Sequence, residues 1–494
     1  MLRDYQSGAI GKVYASLRQH RSCILQMPTG SGKTHVAMEI IKHGLKHGKR
    51  IAFCVDRITL LDQTVDKFIE HGIQIGIVQG NHPMANPAAP VQIVSLQTLA
   101  RRGKKHWPEV DLFIIDECHV NYAIIRELID TWDGLKYIGL SATPFTRGLG
   151  LVWHDLVVAT TTAELIERGY LCNYDAFAPS QPDLTGIRRS GADFSAPDLE
   201  ERMNVLTGDI VAHYIEACGD GPHLKGLYFT PTVAYAQSLA LEFMGRGVIA
   251  DHVSGHDTDE RRLQVMQAYA KGEIQVLTNC EVLTKGFDQP DIMIGGLARP
   301  TRSLSLHIQM CGRFLRTHED KDKVIILDHA GNIERLGFPD DPLPTTLDMD
   351  EPNVNPDTRD RDEPQPWHCP KCYSLVPART HICPTCGHAA SRPAGVTVEA
   401  GVLKKIERSD VSQKQATLAM LNCIRHDKKY KPGWVKAQYK ELFGCWPGRQ
   451  LDHDMVLNPI PELKEWVEKK RRNFLANRHI RANYNARTTT HPDS

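Results

Sequence analysis

Short apolar segments alternate with longer segments of helical pattern over the first 330 residues of the chain. Such continuous apolar segments are typical of strands that are buried on both faces of a parallel sheet. They form two series, separated near residues 156–171. The first series is 23–27, 51–55, 91–95, 112–116 and 137–141, and the second is 226–230, 274–278, 292–297 and 323–328. The pattern predicts an α/β protein with two tandem, doubly wound parallel-sheet domains, over residues 1–160 and 161–334.

The composition changes after the second predicted domain. Residues 335–366 contain seven prolines and nine acidic residues, which predicts an acidic, proline-rich linker without a core of its own. Residues 367–390 are rich in cysteine, and residues 391–494 have a helical pattern and a basic balance. We therefore expect a linker, a small cysteine-rich element and a mainly helical, basic C-terminal region.

The zero net charge of the chain conceals an uneven distribution. Residues 1–334 carry a net charge of −5, whereas residues 401–494 carry +9. The basic tail indicates a polyanionic partner, although a solvated helical surface gives the same pattern. The chain has no apolar run long enough to span a membrane, and most of its thirteen cysteines are scattered singly. These features predict a reducing, intracellular and therefore cytoplasmic location.

The segment QMPTGSGKT, residues 26–34, has the pattern of a phosphate-binding loop between a strand and a helix. In such a loop backbone N–H groups bind phosphate oxygens, Lys33 reaches the β- and γ-phosphates, and Thr34 binds Mg²⁺. Met27 stands where the strict pattern has glycine, and we expect its side chain to belong to the preceding strand. The loop residues expected to bind the nucleotide are Thr29, Gly30, Ser31, Gly32, Lys33 and Thr34.

Asp116 and Glu117 directly follow the apolar segment LFII. This places a carboxylate pair at the carboxyl end of a predicted strand, where α/β sheets bind their ligands. Asp116 is expected to hold Mg²⁺, and Glu117 to orient and deprotonate an attacking water. The alternative is a surface acidic pair, which the position after a buried strand disfavours.

Residues 303–316 fit one helix with two different faces. Its apolar face consists of Leu304, Ile308, Cys311 and Leu315. The opposite face presents Gln309, Arg313 and Arg316. Two adjacent arginines suit a γ-phosphate in the transition state of its transfer, and an exposed basic face is the alternative.

These motifs, in this order, resemble those of superfamily 2 helicases over residues 1–330. MPTGSGKT resembles that superfamily's own form of the phosphate loop, DECH its DEAH-like box, and QMCGRFLR its Q-x-x-G-R-x-x-R motif. The resemblance implies two RecA-like domains, with ATP and Mg²⁺ bound between them. Lys33, Asp116 and Glu117 would lie on one wall, and Arg313 and Arg316 on the other.

The same resemblance implies roles for residues outside these core motifs. LRDYQ resembles the adenine-reading element, in which Arg3 and Gln6 would contact the nucleotide, and LTKGFDQP the element in which Asp288 would contact the ribose. The residues implied to contact nucleic acid are Arg57, Thr98 and Thr284, and those implied to couple hydrolysis to movement are His119, Ser141, Thr143 and Gln309.

Two C-x-x-C pairs in the cysteine-rich patch have the spacing of a zinc ribbon. The predicted Zn²⁺ ligands are Cys369, Cys372, Cys383 and Cys386. Free thiols, or a site that includes a neighbouring histidine, remain the alternatives. In so small an element the metal would replace a hydrophobic core.

The layout as a whole resembles the RadD family of bacterial DNA-repair helicases. This resemblance implies single-stranded or branched DNA as substrate and a single-stranded-DNA-binding protein as a partner. An RNA-dependent ATPase and the motor subunit of a restriction complex remain alternatives. So does a weak nuclease pattern, Asp454, Glu462 and Lys464. That chemistry would need carboxylates on strands, whereas Pro459 and Pro461 precede a predicted helix that begins at Glu462. The aromatic residues between 430 and 446 suit either a helical core or a surface that stacks on bases.

Overall fold

The computed structural model describes most of the first two predicted domains and part of the tail. The chain divides into two compact units, Met1–Ile406 and Glu407–Ser494. The described residues are 2–55, 58–80, 82–103, 107–120, 122–132, 134–178, 184, 187–190, 193–204, 207–280, 283, 289–349, 367–368, 375–376, 411–443, 447 and 454–468.

A seven-stranded parallel sheet forms the centre of the first domain. Its strands are β1 (Ser22–Gln26), β2 (Ile51–Val55), β3 (Ile75–Val78), β4 (Val91–Ser95), β5 (Leu112–Asp116), β6 (Lys136–Ser141) and β7 (Asp155–Val158). Their order across the sheet is β3-β4-β2-β5-β6-β1-β7. Every residue of β1, β2 and β4 is buried, as expected for strands with helices on both faces.

Helices pack on both faces of this sheet. They are α1 (Asp4–Gln19), α2 (Lys33–Lys46), α3 (Ile58–Glu70), α4 (Leu96–Arg102) and α5 (Tyr122–Thr131), and a short α6 (Thr162–Glu167) follows β7. Val36 and Ile40 of α2 share one buried cluster with Phe53. Ile125 of α5 packs with Phe113 in a second cluster.

A six-stranded sheet forms the second domain. Its strands are β8 (Asn173–Phe177), β11 (Gly226–Phe229), β12 (Ala250–Val253), β13 (Val276–Asn279), β14 (Ile294–Leu297) and β15 (Lys323–Asp328), and a small antiparallel pair is formed by β9 (Arg189–Ser190) and β10 (Asp193–Phe194). The order is β12-β13-β11-β14-β15-β8, with every neighbouring pair parallel. The prediction of two parallel-sheet α/β domains is confirmed.

The helices of the second domain also lie between or beside parallel strands. They are α7 (Ala196–Asn204), α8 (Thr207–Cys218), α9 (Val233–Gly245), α10 (Asp259–Ala270), α11 (Leu304–Phe314) and α12 (Asn332–Leu336). Tyr214 of α8 and Phe243 of α9 meet edge to face, with ring centroids 5.2 Å apart, over the sheet residue Tyr228. This aromatic packing joins the two helices to one face of the sheet.

The first part of the predicted linker, 335–366, is packed against the motor domains. The helix α12 ends inside it, and Leu347 joins the buried cluster of the first domain. Asp348 accepts hydrogen bonds from the backbone N–H groups of Gly148, at 3.0 Å, and Gly150, at 2.8 Å. The composition predicted only a linker without a core of its own. It did not reveal this packing, because a few contacts are enough to hold a segment that is otherwise polar.

Little of the predicted zinc ribbon lies within the described residues. Two short strands, β16 (Trp367–His368) and β17 (Leu375–Val376), pair antiparallel there. The four predicted ligands Cys369, Cys372, Cys383 and Cys386 lie outside the described residues.

The described part of the second unit is mainly helical. It contains α13 (Val411–Lys428), α14 (Pro432–Phe443) and a helix over residues 461–468. Tyr439 is only 1% exposed in its core, whereas Tyr430 and Trp434 are partly buried, with ring centroids 4.6 Å apart. Of these three aromatic residues, Tyr439 therefore belongs to the helical core rather than to a surface that stacks on bases.

Among the described residues, no helix combines the length and the apolar composition that a membrane span requires.

Candidate functional site

The carboxyl ends of three neighbouring strands meet at one edge of the first sheet. β6 lies between β1 and β5, and in this register Gln26 is level with Ser141, and Leu140 with Asp116. The phosphate loop, the acidic pair and the SATP segment therefore leave the sheet side by side. This edge is where open parallel sheets bind their ligands.

The phosphate loop turns tightly between β1 and α2. Gly30 and Gly32 have φ angles of 83° and 85°, a left-handed conformation that glycine adopts without steric cost. Lys33 is the first residue of α2, and its Nζ donates hydrogen bonds to the carbonyl oxygens of Met27, at 3.1 Å, and Pro28, at 3.3 Å. The first backbone N–H groups of a helix have no carbonyl partner within it, and they suit a phosphate.

Met27 occupies the position at which the strict loop pattern has glycine. Its side chain is fully buried in the apolar cluster under the sheet. Its N–H donates to the carbonyl oxygen of Ser141, continuing the pairing of β1 with β6. Met27 therefore belongs to the end of the strand, as its position predicted.

The acidic pair lies where β5 ends. Glu117 has a φ of 48°, which is uncommon outside glycine and is often found at functional sites. Its N–H donates to Asp116 Oδ1 at 3.0 Å. Glu117 Oε2 is buried without a hydrogen-bond partner among the described residues, and His119 Nδ1 lies 3.4 Å from it. The carboxylate is thus fixed by its backbone and keeps acceptor capacity for a ligand.

The helix α11 of the second domain packs directly on the phosphate loop. A Cβ added to Gly312 would lie 2.5 Å from Thr29 Cβ, so a larger residue there would separate the two elements. A Cβ added to Gly30 would lie 3.5 Å from Arg316 Cγ. The Gln309 and Arg313 face of α11, predicted to oppose the apolar face, is consequently buried as well.

Five charged groups influence one another across this domain interface. Burial lowers the pKa of Lys33, and the Glu117 and Asp116 carboxylates oppose that shift. Burial lowers the pKa of Arg313 to about 10, again opposed by Glu117, and burial lowers the pKa of Arg316 to about 10. One buried cation, Arg313, and two half-buried cations, Lys33 and Arg316, face two carboxylates, which favours the binding of a polyanion together with a metal cation.

A hydrogen-bonded series joins the acidic pair to the second domain. His119 Nδ1 lies 2.9 Å from Ser141 Oγ, which accepts a hydrogen bond from Thr143 N at 3.0 Å. Gln309 Nε2 of α11 donates to Thr143 Oγ1 at 3.4 Å. The structure therefore brings together the four residues predicted to couple hydrolysis to movement.

Comparisons with known proteins agree with this arrangement. Residues 1–146 match the family described as "Type III restriction enzyme, res subunit", and residues 211–318 match "Helicase conserved C-terminal domain". The chain is 31% identical over 355 residues to the "Putative ATP-dependent helicase IRC3" of Saccharomyces cerevisiae, covering 67% of this chain and 52% of that protein. It is 25% identical to the "DNA 3'-5' translocase XPB2" of Sulfurisphaera tokodaii, covering 66% of this chain and 80% of that protein.

The chain contains a superfamily 2 helicase motor. It spans about half the length (52%) of the yeast protein. A solved fragment of a "putative HsdR subunit of a type I restriction enzyme from Vibrio vulnificus YJ016" covers 71% of this chain and 67% of its own, with a TM-score of 0.56 and 20% identity. At that identity the likeness shows only the fold, the tandem RecA-like pair.

Of the two predicted adenine-reading residues of the motor, Gln6 lies against the phosphate loop. Gln6 Nε2 donates to the carbonyl oxygen of Ser31 at 3.0 Å, and Gln6 Oε1 accepts from Arg3 N at 2.9 Å. A Cβ at Gly32 would lie 2.5 Å from Gln6 Nε2, which explains a glycine at this position. Gln6 thus also supports the loop itself.

The sequence reading missed an aromatic and cationic cluster beside this element. The guanidinium of Arg3 lies 4.5 Å from the ring centroid of Tyr170, and Tyr5 and Tyr170 have centroids 5.3 Å apart. Arg168 pairs with Asp4 and lies over Tyr170 at 5.0 Å. These contacts join α1 to the segment after α6, and no sequence spacing links residues so far apart.

Several predicted site residues of the motor lie outside the described residues, namely Arg57, Thr284 and Asp288. Their implied contacts with nucleic acid and ribose stay predictions. Thr98 is partly exposed on α4, and Thr34 lies in the first turn of α2.

Proposed function

We propose that this motor drives an ATP-dependent translocase or helicase on single-stranded or branched DNA. The observation that supports the proposal most directly is the packing of α11 on the phosphate loop, because it completes the hydrolysis site only when the two domains close. A site divided between two domains links each hydrolysis event to a movement between them. The name of the archaeal relative and the basic tail support DNA as the polyanion.

The residues at the interface fit a nucleotide with its metal ion. Bound Mg²⁺ would neutralise phosphate charge, and Thr34 and Asp116 are the residues that would hold it. Lys33 would turn from its loop carbonyls to the phosphates. Glu117 would orient the attacking water and accept its proton, using Oε2, which is buried beside His119 and accepts no hydrogen bond from the described residues.

The second domain supplies the cations that stabilise developing charge. Arg313 of α11 and Arg316, two residues beyond the end of that helix, would contact the γ-phosphate region. The series from His119 to Gln309 would then transmit loss of the γ-phosphate to α11. Two sets of backbone contacts on DNA would shift relative to each other, largely without regard to base sequence.

The matches to restriction-enzyme proteins raise the restriction-motor alternative. Such a complex needs a nuclease, and the weak pattern in the tail does not provide one where it is described. Glu462 and Lys464 are exposed on the helix over 461–468, and Asp454 is exposed before it. We therefore propose that the motor acts in DNA repair and that the protein is a member of the RadD family. We also propose that it is cytoplasmic and has a single-stranded-DNA-binding protein as a partner.

ATPase activity with different nucleic acids tests the proposed substrate. We expect strong stimulation by single-stranded and forked DNA, and weaker stimulation by duplex DNA and RNA. Lys33→Ala provides the baseline, because the loop loses its phosphate contact. Stimulation by RNA equal to or above that by DNA would favour the RNA-dependent alternative.

The basic tail should set DNA affinity. Lys428, Lys429 and Lys431 are exposed at the turn between α13 and α14. Changing all three to Gln should weaken single-stranded DNA binding and flatten its dependence on log[salt] by about 2 units, because fewer counterions are released. The maximal ATPase rate at saturating DNA should change little.

Matched removal of three exposed motor lysines serves as the control for the tail variant. Changing Lys49, Lys271 and Lys323 to Gln removes the same charge from side chains that are 56%, 67% and 59% exposed. An equal loss of affinity in both variants would show that only net charge matters. Unchanged binding in the tail variant would assign the tail to a protein partner.

The cysteine-rich patch should bind one zinc ion. Elemental analysis of the purified protein should find about one equivalent, and Cys372→Ser should lose most of it. The control is Cys423→Ser, a free cysteine on α13. Zinc-free wild-type protein would contradict the prediction, whereas basal ATPase should persist in either variant.

A further inference from the structure

Lys321 is a buried lysine between the end of α11 and the start of β15. It is only 6% exposed. Its Nζ donates hydrogen bonds to three backbone carbonyl oxygens: Phe314 at 2.6 Å, Arg316 at 2.9 Å and Pro290 at 3.2 Å. An ammonium group has three N–H donors, so this site uses its full donor capacity.

The three carbonyls belong to two motifs that are far apart in the sequence. Phe314 and Arg316 lie at the carboxyl end of α11, where backbone carbonyls have no partner within the helix. Pro290 ends the LTKGFDQP element. A cation at a helix carboxyl end is also favoured by the helix dipole. Lys321 thus fixes the segment that carries Arg316 to the neighbouring motif.

We propose that Lys321 is a positioning residue for the arginine pair of the hydrolysis site. Its three hydrogen bonds hold the last turn of α11, so that Arg313 and Arg316 face the phosphate loop. Backbone hydrogen bonds also hold this segment: Lys321 N donates to His318 O at 3.1 Å, and Cys172 N donates to Leu315 O at 2.8 Å. The inference rests on the proposed role of the two arginines.

The surroundings of Lys321 make its protonation state relevant to this role. Burial lowers its pKa to about 8; the Cys172 thiol and the Asp291 carboxylate oppose this shift, and the Arg316 guanidinium adds to it. A neutral amine has two donors for three carbonyls, so positioning should weaken as the pH rises above about 8. Burial in turn raises the pKa of the Cys172 thiol above its ordinary value.

Stability should respond to pH in the opposite direction. The folded-state pKa of Lys321 lies below its ordinary value of 10.5, so between about 8 and 10.5 the unfolded chain binds more protons at this residue. The contribution of Lys321 to the free energy of unfolding therefore rises with pH in that window. If kcat falls as the pH rises above about 8 while the contribution of Lys321 to the free energy of unfolding does not fall, Lys321 acts by positioning rather than by a general structural role.

The test compares Lys321→Met with Lys323→Met, an exposed lysine two residues away. Met keeps the length of the side chain and removes its donors. For Lys321→Met we expect kcat at saturating ATP and DNA to fall about a hundredfold, as for a misplaced catalytic group, with binding of a non-hydrolysable ATP analogue within about threefold of wild type. Lys323→Met should match wild type in both.

A second variant covers the case in which Lys321→Met does not fold. Lys321→Arg keeps a cation at all accessible pH values, so its ratio of kcat at pH 9 to kcat at pH 7 should exceed that of wild type. A wild-type kcat in folded Lys321→Met, or an identical pH ratio in Lys321→Arg and wild type, would overturn the proposal. If Arg313→Gln and Arg316→Gln also keep wild-type kcat, the arginine assignment itself fails rather than the role of Lys321 alone.

Discussion

Glu117→Gln should bind Mg-ATP with near wild-type affinity and hydrolyse it about 10²- to 10⁴-fold more slowly. The substitution keeps the size and the backbone preference of the side chain, so the left-handed conformation at this residue is not disturbed further. It removes the carboxylate that is buried beside His119 and within electrostatic range of Lys33. Single-turnover hydrolysis, measured beside nucleotide binding, separates the chemical step from affinity.

Glu127→Gln on the exposed face of α5 is the matched control, and it should leave both quantities unchanged. Loss of ATP binding in Glu117→Gln would instead assign Glu117 to the structure of the site. Hydrolysis near the wild-type rate would remove the proposed general base.

The strands that the sequence revealed are the interior strands of the two sheets. β2, β4, β5 and β15 match the predicted segments residue for residue, because burial on both faces requires continuous apolar residues. The strands without a predicted segment, β3, β7, β8 and β12, are the two edge strands of each sheet. An edge strand has one neighbour and can carry polar residues, as NYDAF in β8 does.

Motif spacing located the phosphate loop and the acidic pair, because each lies within a few residues of one strand end. It could not reveal contacts made by residues far apart in the chain. Tyr170 meets Arg3 because the first and second domains fold against each other, and Lys321 meets Pro290 because the second domain folds back on itself. Neither residue belongs to a local pattern. Residues of this kind are found in the folded structure, where a buried polar group must have hydrogen-bond partners from elsewhere in the chain.

The linker between 335 and 366 shows the same limit of composition. Prolines and acids predicted a segment without a core, and the part up to Met349 nevertheless contacts the first domain near Gly148 and Gly150. A hydrogen-bonded backbone and one packed leucine, Leu347, suffice for that contact. Composition describes the average tendency of a segment rather than its individual contacts.

Arg313→Gln should reduce kcat by about 10³- to 10⁵-fold while leaving nucleotide binding to the first domain largely intact. Arg313 is 7% exposed on α11 and is the residue of the second domain whose pKa responds to Glu117. In the proposed mechanism its guanidinium would stabilise the charge that develops on the transferred phosphate. Arg313→Lys should recover little activity, because a single ammonium cannot reproduce the two parallel hydrogen bonds of a guanidinium.

The control is Arg246→Gln, an exposed arginine on the second domain that pairs with Glu242. It removes the same charge from the same domain and should leave kcat unchanged. Melting temperatures of the Arg313 variants should stay close to that of wild type, since Arg313 is buried against the other domain rather than in the core of its own. A large loss of stability would identify Arg313 as a structural residue, and an unchanged kcat in a folded variant would remove it from the hydrolysis site.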